Sequence, residues 1–231
     1  FRNIDRVFDD DLNKIRQIAI REGWNNQQFR ESIEQLRLSR TKKLADHLAE
    51  LPTPQVVVPV EKFAREKAGE TLVNVAMHAY NKFGDKAPVI AVENWHPETV
   101  MSRGKTLKEF LQKTRSDFAE KLVKEKNMNK DEAKHVAETL IGATWDVSHI
   151  NMLRRFGYTS EEIAKEAKEL AKGGKGIVKK IHLADNFGFY DSHLPPGMGD
   201  APIKEQLREL EKTGALTRET PIILEAGAFD V

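Results

Sequence analysis

An α/β fold built on a parallel sheet is predicted by two features of the sequence. Short apolar runs that end in polar groups recur at 87–94, 141–146, 177–185 and 221–225. Stretches of helical periodicity separate them, at 107–126, 130–140, 160–172 and 203–213. Strands alternating with helices are what a parallel sheet with crossover helices requires. Before residue 87 only 55–60 resembles such a run, which sets the first part of the chain aside. The expected organisation is a mainly helical segment over 1–86 and a β/α region over 87–231.

In chain order, Leu12, Ile15, Ile18 and Ala19 fall at helical spacing, as do Phe29, Ile33, Leu36, Leu44 and Leu48. Gly23 and Asn25-Asn26 punctuate the two helices. Pro52 and Pro54 are expected to end the second, and 55–60 reads as a short β-type run that Pro59 makes a poor interior strand. Helical spacing returns over 61–83 through Phe63, Leu72, Val75, Ala76 and Ala79, with Gly84 at the stop. The distance from Glu93 to Asp146 exceeds one β/α unit, so an additional helix is expected there. Thr159 or Ser160 is the candidate N-cap of the helix that follows, with Glu161 and Glu162 in its acidic first turn.

Composition removes several function classes. The 37 basic and 36 acidic side chains nearly cancel, and a net charge of +1 excludes a globally basic nucleic-acid binder. The basic stretch 37–43 lacks interleaved aromatics and reads as a solvated helix face. No apolar run approaches the roughly 18 residues a membrane span needs. Residues 1–11 carry no signal-peptide pattern, so a cytoplasmic protein without a membrane partner is expected. The absence of cysteine excludes disulfides, thiol catalysis and zinc–thiolate sites. Both ends of the chain read as cuts.

The chemistry gathers at the strand ends. Each apolar run closes on a potential ligand: Glu93, Asp146, His182 and Glu225. In a parallel β/α barrel the C-terminal strand ends converge on the face that carries the active site. Any one of these residues alone reads as a cap, a loop acceptor or a core histidine. Four at successive strand ends read as a metal site, because converging carboxylates become tolerable once a divalent cation neutralises them. A nitrogen/oxygen set of this kind suits Mn²⁺, Mg²⁺, Co²⁺ or Zn²⁺. His149 lies three residues past Asp146, where it would contact substrate or metal. The polar, glycine- and proline-rich loop 187–200 is long enough to be expected functional. Gly197 and Gly199 would offer backbone N–H groups to a substrate oxygen or phosphate.

Glu93-Asn94, Asp146-Val147-Ser148-His149, His182-Leu183-Ala184-Asp185-Asn186, Asp191-Ser192-His193-Leu194-Pro195-Pro196-Gly197-Met198-Gly199 and Glu225 together make a pattern. It resembles the xylose-isomerase-like TIM-barrel superfamily, which holds sugar phosphate isomerases and epimerases and the metal-dependent apurinic endonucleases. The resemblance covers about 87–227 and implies the second half of such a barrel. For the epimerase branch it implies that Glu93, Asp146, His182 and Glu225 hold one divalent cation. Glu93 and Glu225 would double as the acid/base pair for proton transfer α to a carbonyl, through an enediolate. The implied partner is a small sugar or sugar phosphate. His149 matches a histidine that contacts substrate in epimerases and metal in the endonucleases. Asp191 and His193 match a further metal-binding pair of the endonucleases. Trp95 and Trp145 adjoin proposed ligands and would either wall the sugar face or pack in the core.

The same resemblance implies a second reading, phosphodiester hydrolysis by a multi-metal cluster that adds His149, Asp191 and His193. It is less favoured. The endonucleases also draw two histidines from earlier strands, whereas His47 and His78 fall in helical stretches here. Only 37–43 and Arg154-Arg155 would serve a DNA backbone. A third reading is a non-catalytic scaffold or fragment with a vestigial site. Half a barrel leaves two sheet edges, which predicts a homo-oligomer or association with a missing barrel half.

Overall fold

Four parallel strands in sequential order make the sheet: β1 (Ile90–Glu93), β2 (Ile141–Asp146), β3 (Val178–Leu183) and β4 (Ile222–Leu224). The computed structural model describes residues 2–50 and 57–227. Helices α4 (Gly104–Lys126) and α5 (Lys130–Leu140) connect β1 to β2, which is the extra helix that the long spacing demands. A short α6 (Val147–Asn151), a 3-10 turn over Met152–Phe156 and α7 (Ser160–Ala171) lead to β3. After β3 a long loop precedes α8 (Ile203–Glu211) and β4. The fold is α/β, with the strand–helix alternation of a partial TIM-barrel-type arrangement.

One side of the sheet faces the helices and holds the core. Ile141, Ala143 and Trp145 of β2, with Val178 and Ile181 of β3, are buried against Leu107, Leu111, Phe118 and Leu122 of α4 and Ile163, Ala167 and Leu170 of α7. The α4 residues recur at spacings of three and four, so one stripe of the helix faces the sheet. Each of the larger side chains stabilises the fold by about 1.5–3 kcal/mol relative to exposure. Thr159 caps α7 in a reciprocal box with Glu162, and Asn129 caps α5 by accepting from the Glu132 amide. Where α4 meets α7, a side chain at Gly104 would collide with the Glu166 backbone, and the Glu166 carboxylate accepts from the Gly104 amide at 2.9 Å.

Register decides which residues face the other side. Glu93 pairs with Thr144, Asp146 with His182, and His182 with Ile223. Side chains alternate along a strand, so Glu93, Thr144, Asp146, His182, Ile223 and the next alternate position, Glu225, lie on one face. β3 keeps both faces correct only through an irregularity. Ala143 pairs with Val178 and Thr144 with Lys180, which leaves Lys179 as a surplus residue. Without that extra residue in the count, Val178 and Ile181 could not both point into the helical core while His182 points away.

Helices α1 (Arg2–Glu22) and α2 (Asn26–Glu50) belong to a compact unit, Phe1–Val57, distinct from Val58–Val231. Within it the expected stripes, Leu12, Ile15, Ile18 and Ala19 and Phe29, Ile33, Leu36 and Leu44, are half-buried, whereas Leu48 is exposed. In the stretch 37–43, Arg37 is exposed beside Glu34 and the Arg40 guanidinium sits 4.9 Å from the Phe8 ring centre.

Three sequence expectations change. The division of the chain falls at 57/58 and not at 86/87, because α3 (Val60–Phe83) buries Val73, Ala76 and Met77 in the core of the second unit. In that helix Phe63 and Val75 are exposed, so the stripe that faces the core is offset from the expected one. Of the β-type run 55–60, residues 55 and 56 lie outside the described residues, 57–59 have no regular structure and Val60 opens α3. Pro52 and Pro54 also lie outside the described residues. Among the described residues no helix is long and apolar enough to cross a membrane.

Candidate metal centre

The shared face brings four strand-end residues together. Glu93, Asp146, His182 and Glu225 each offer a ligand atom, and these atoms lie within 4.8 Å of one another. Nδ1 of His182 is 2.9 Å from Oε1 of Glu93 and 3.0 Å from Oε1 of Glu225. Two carboxylates from opposite edges of the sheet thus converge on one imidazole nitrogen. Glu225 arrives because its amide continues the β4 ladder, donating to the Leu183 carbonyl at 3.1 Å.

Asp146 is the most constrained of the four. Its Oδ1 accepts from the Ser148 amide (2.7 Å), the Ser148 hydroxyl (2.8 Å) and the His149 amide (2.8 Å). The carboxylate therefore caps α6, which satisfies orphan amides of that helix and fixes its own orientation. Oδ2 is buried and has no hydrogen-bond partner, with Nε2 of His149 3.9 Å away. A buried carboxylate oxygen left unpaired is costly, and a cation is what would offset the cost. Donor set, convergence and this orphaned oxygen all fit a hard or borderline divalent cation held by one nitrogen and three carboxylates.

A second group sits beside the first. His149, Asp191 and His193 also bring ligand atoms within 4.8 Å of one another. Here both nitrogens of the buried histidine have protein partners. His149 is buried, its Nδ1 donates to the Asn94 carbonyl at 2.7 Å, and its Nε2 donates to Oδ2 of Asp191 at 3.0 Å. The same Asp191 oxygen accepts from Nε2 of His193 at 3.0 Å. Burial works to lower the His149 pKa, but the Asp191 hydrogen bond, the Asp146 charge and the Asn94 carbonyl together raise it to about 9. Burial would raise the Asp191 pKa; the bonds and charges of His149 and His193 bring it below its ordinary value. With Nδ1 fixed by the Asn94 carbonyl, Nε2 is the nitrogen that a cation would have to take from Asp191. His193 is presented by a backbone φ of 47°, a left-handed conformation uncommon outside glycine.

The remaining expected site residues part company. Trp95 is half exposed and lies edge-on to His149, with ring centres 5.0 Å apart, so it stands at the rim. Trp145 does not wall the site. It alternates with Asp146, points to the helices, is fully buried and donates from Nε1 to Gln206 at 2.9 Å. The glycines of the β3–α8 loop also serve packing. The Gly197 amide donates to Oδ2 of Asp185 at 2.9 Å, so it is not free for a substrate, and a Cβ at Gly199 would sit 2.4 Å from the Asn186 carbonyl. Arg154 is engaged by Asn151, Ser160 and Asp200, and Arg155 by Glu98 and the Phe189 carbonyl. One residue escaped sequence reasoning and one was named there without a role. His96 lies tilted beside Trp95 with its ring 6.4 Å from that of His149, and Asn94, which entered only as part of the Glu93-Asn94 pattern, is fully buried between β1 and β2.

No protein-family model and no curated protein matches this chain. Among solved structures, it is similar to a D-tagatose 3-epimerase-like protein at 19% identity and a TM-score of 0.37, over 71% of this chain and 63% of that one. The chain thus spans less than two thirds of the length of that protein.

Proposed function

We propose that the protein is a divalent-metal-dependent isomerase or epimerase of a sugar or sugar phosphate. The observation that carries this is the convergence of Glu93, Asp146, His182 and Glu225 with the Asp146 Oδ2 left unpaired and buried. The sequence resemblance to the xylose-isomerase-like superfamily supplies the substrate class. In this reading those four residues hold the cation, which when bound supplies Lewis-acid polarisation of a substrate carbonyl and its neighbouring hydroxyl.

The chain's own residues would do the rest. Glu93 and Glu225 reach the centre from the two ends of the sheet, each partly exposed, as an acid/base pair placed on opposite sides of a substrate carbon requires. One removes the proton α to the carbonyl, and the other returns a proton on the opposite face or at the adjacent carbon. Each such transfer contributes roughly 10²–10⁴-fold. His149 gives both of its nitrogens to protein acceptors, so it would meet a substrate oxygen only by releasing Asp191. Trp95 offers an apolar wall at the rim.

Phosphodiester hydrolysis is the weaker reading. It would need His149 to lose a proton and Asp191 to leave two histidines before a second cation could bind. Neither Arg154 nor Arg155 is free to hold a phosphate backbone.

Elemental mass spectrometry on the purified protein tests the choice. About one Mn, Mg, Co or Zn per chain is expected, lost in Glu225→Ala and retained in His193→Ala. Two or three zincs, falling in both variants, would instead favour phosphodiester hydrolysis. No metal after reconstitution would overturn both readings and leave a scaffold.

A further inference from the structure

The β1–β2 ladder ends where the metal centre begins. Backbone pairing runs from Ile90 opposite Ile141 to Glu93 opposite Thr144. Past Glu93 the chains separate, and the Asn94 amide reaches the Thr144 carbonyl only at 3.4 Å. The amide of Asp146, one alternate position further, would then face β1 with nothing to pair, and its carbonyl would have a side turned to β1 as well. The Asn94 side chain fills that gap. Its Oδ1 accepts from the Asp146 amide at 2.7 Å, and its Nδ2 donates to the Asp146 carbonyl at 2.9 Å. The carboxamide thus acts as a substitute peptide group and adds one rung to the sheet.

Because the side chain makes this rung, the Asn94 main-chain carbonyl is left over. It accepts from Nδ1 of His149 at 2.7 Å. One fully buried residue therefore adjoins Glu93, holds the backbone of Asp146 from both its donor and its acceptor, and sets the ring of His149. No other side chain does all of this. Aspartate has no donor for the Asp146 carbonyl and adds a carboxylate to a site that already holds three of them. Glutamine is a methylene too long, and serine does not reach two atoms.

We propose that Asn94 is a positioning residue. It fixes the separation of the Glu93 and Asp146 ligands and the orientation of His149 without touching a cation or a substrate. The inference rests on the metal-centre reading for its effect on affinity, but its bracing role has readouts that need no metal.

The test has two arms. In metal-free wild-type protein, hydrogen exchange by NMR should find the Asp146 amide and the Asn94 carboxamide protons protected, with His149 Nδ1 carrying a proton. In Asn94→Asp and Asn94→Ala, Mn²⁺ binding followed by electron paramagnetic resonance should keep one ion per chain at 10–100-fold weaker affinity, the range for lost outer hydrogen-bond partners. His149 Nδ1 should lose its fixed resonance in the same variants. Affinity within twofold of wild type, together with an unchanged His149 spectrum, would overturn the proposal. Fast exchange of the Asp146 amide in the wild type would do the same, and that measurement stands even where Asn94→Ala does not fold. A wild-type protein that binds no divalent ion but protects Asp146 and His149 as described would overturn the metal reading and leave the bracing role intact.

Discussion

The two ligand groups lie side by side and are built from the same kinds of residue, yet they differ in how their charges are settled. In the group of His149, Asp191 and His193, every pairing is made within the protein: two imidazoles donate to one carboxylate oxygen. In the group of Glu93, Asp146, His182 and Glu225, three carboxylates converge on a single nitrogen-bearing ring, and one buried oxygen has no partner. The two groups thus share ligand types and spacing, and differ in that only the four-residue group contains a buried oxygen without a hydrogen-bond partner.

That contrast breaks most readily at Asp146. Asp146→Asn should weaken divalent-metal binding by more than a hundredfold, as followed by competition with a fluorescent chelator. Without metal, the same variant should melt within a few degrees of wild type, because it removes a buried oxygen that lacks a hydrogen-bond partner together with a charge beside the His149 ring, and keeps an oxygen to cap α6. A large fall in Tm in metal-free Asp146→Asn would mean that Oδ2 is bonded in solution.

The second group should respond to pH in place of metal. The His149 pKa is raised from 6.5 to about 9 in the folded protein, so its stabilising contribution is full below pH 6.5 and is lost as pH rises through 9. The Asp191 pKa is lowered, so its contribution is full above its unfolded value of 3.8 and fades as pH falls further. Urea unfolding of metal-free wild type and His149→Gln should therefore diverge most near pH 5–6 and converge as pH rises towards 9. A gap that widens with pH would show that the imidazolium is not what stabilises the pair.

Smaller effects sharpen the same line. Trp145→Phe removes the bond to Gln206 and some core volume, and should cost about 1–3 kcal/mol of stability with metal affinity unchanged. His193→Ala should leave affinity at the first group within twofold, since the ring bonds Asp191 and lies beside the His149 ring, both in the second group. A tenfold loss would mean that the groups act as one cluster.

Much of this was legible in the sequence, for a physical reason. Polar residues close short apolar runs, and period-two alternation brings strand-end residues onto one face once the strands pair in register; the convergence of Glu93, Asp146, His182 and Glu225 needed no more than that. What alternation could not supply was the far side of each strand. Trp145 sits one residue before Asp146, and so points away from the site. Asn94 stood in the Glu93-Asn94 pattern, but its role was not legible, because it arises from where the β1–β2 ladder stops, which no local pattern encodes. The place of α3 was missed because helicity says nothing about which core a helix joins.

The surplus residue of β3 has a consequence for how the site can be lost. The strand carries two lysines in succession, and only one is needed to keep step with β2. A three-nucleotide deletion removing either would leave a regular strand with His182 still opposite Asp146. The same deletion at Ile181 would turn the imidazole towards the helices and bring an aliphatic side chain to the metal face. Equal losses of sequence a residue or two apart thus have opposite outcomes. The strand has one letter of slack, and it is stored at the end remote from the chemistry.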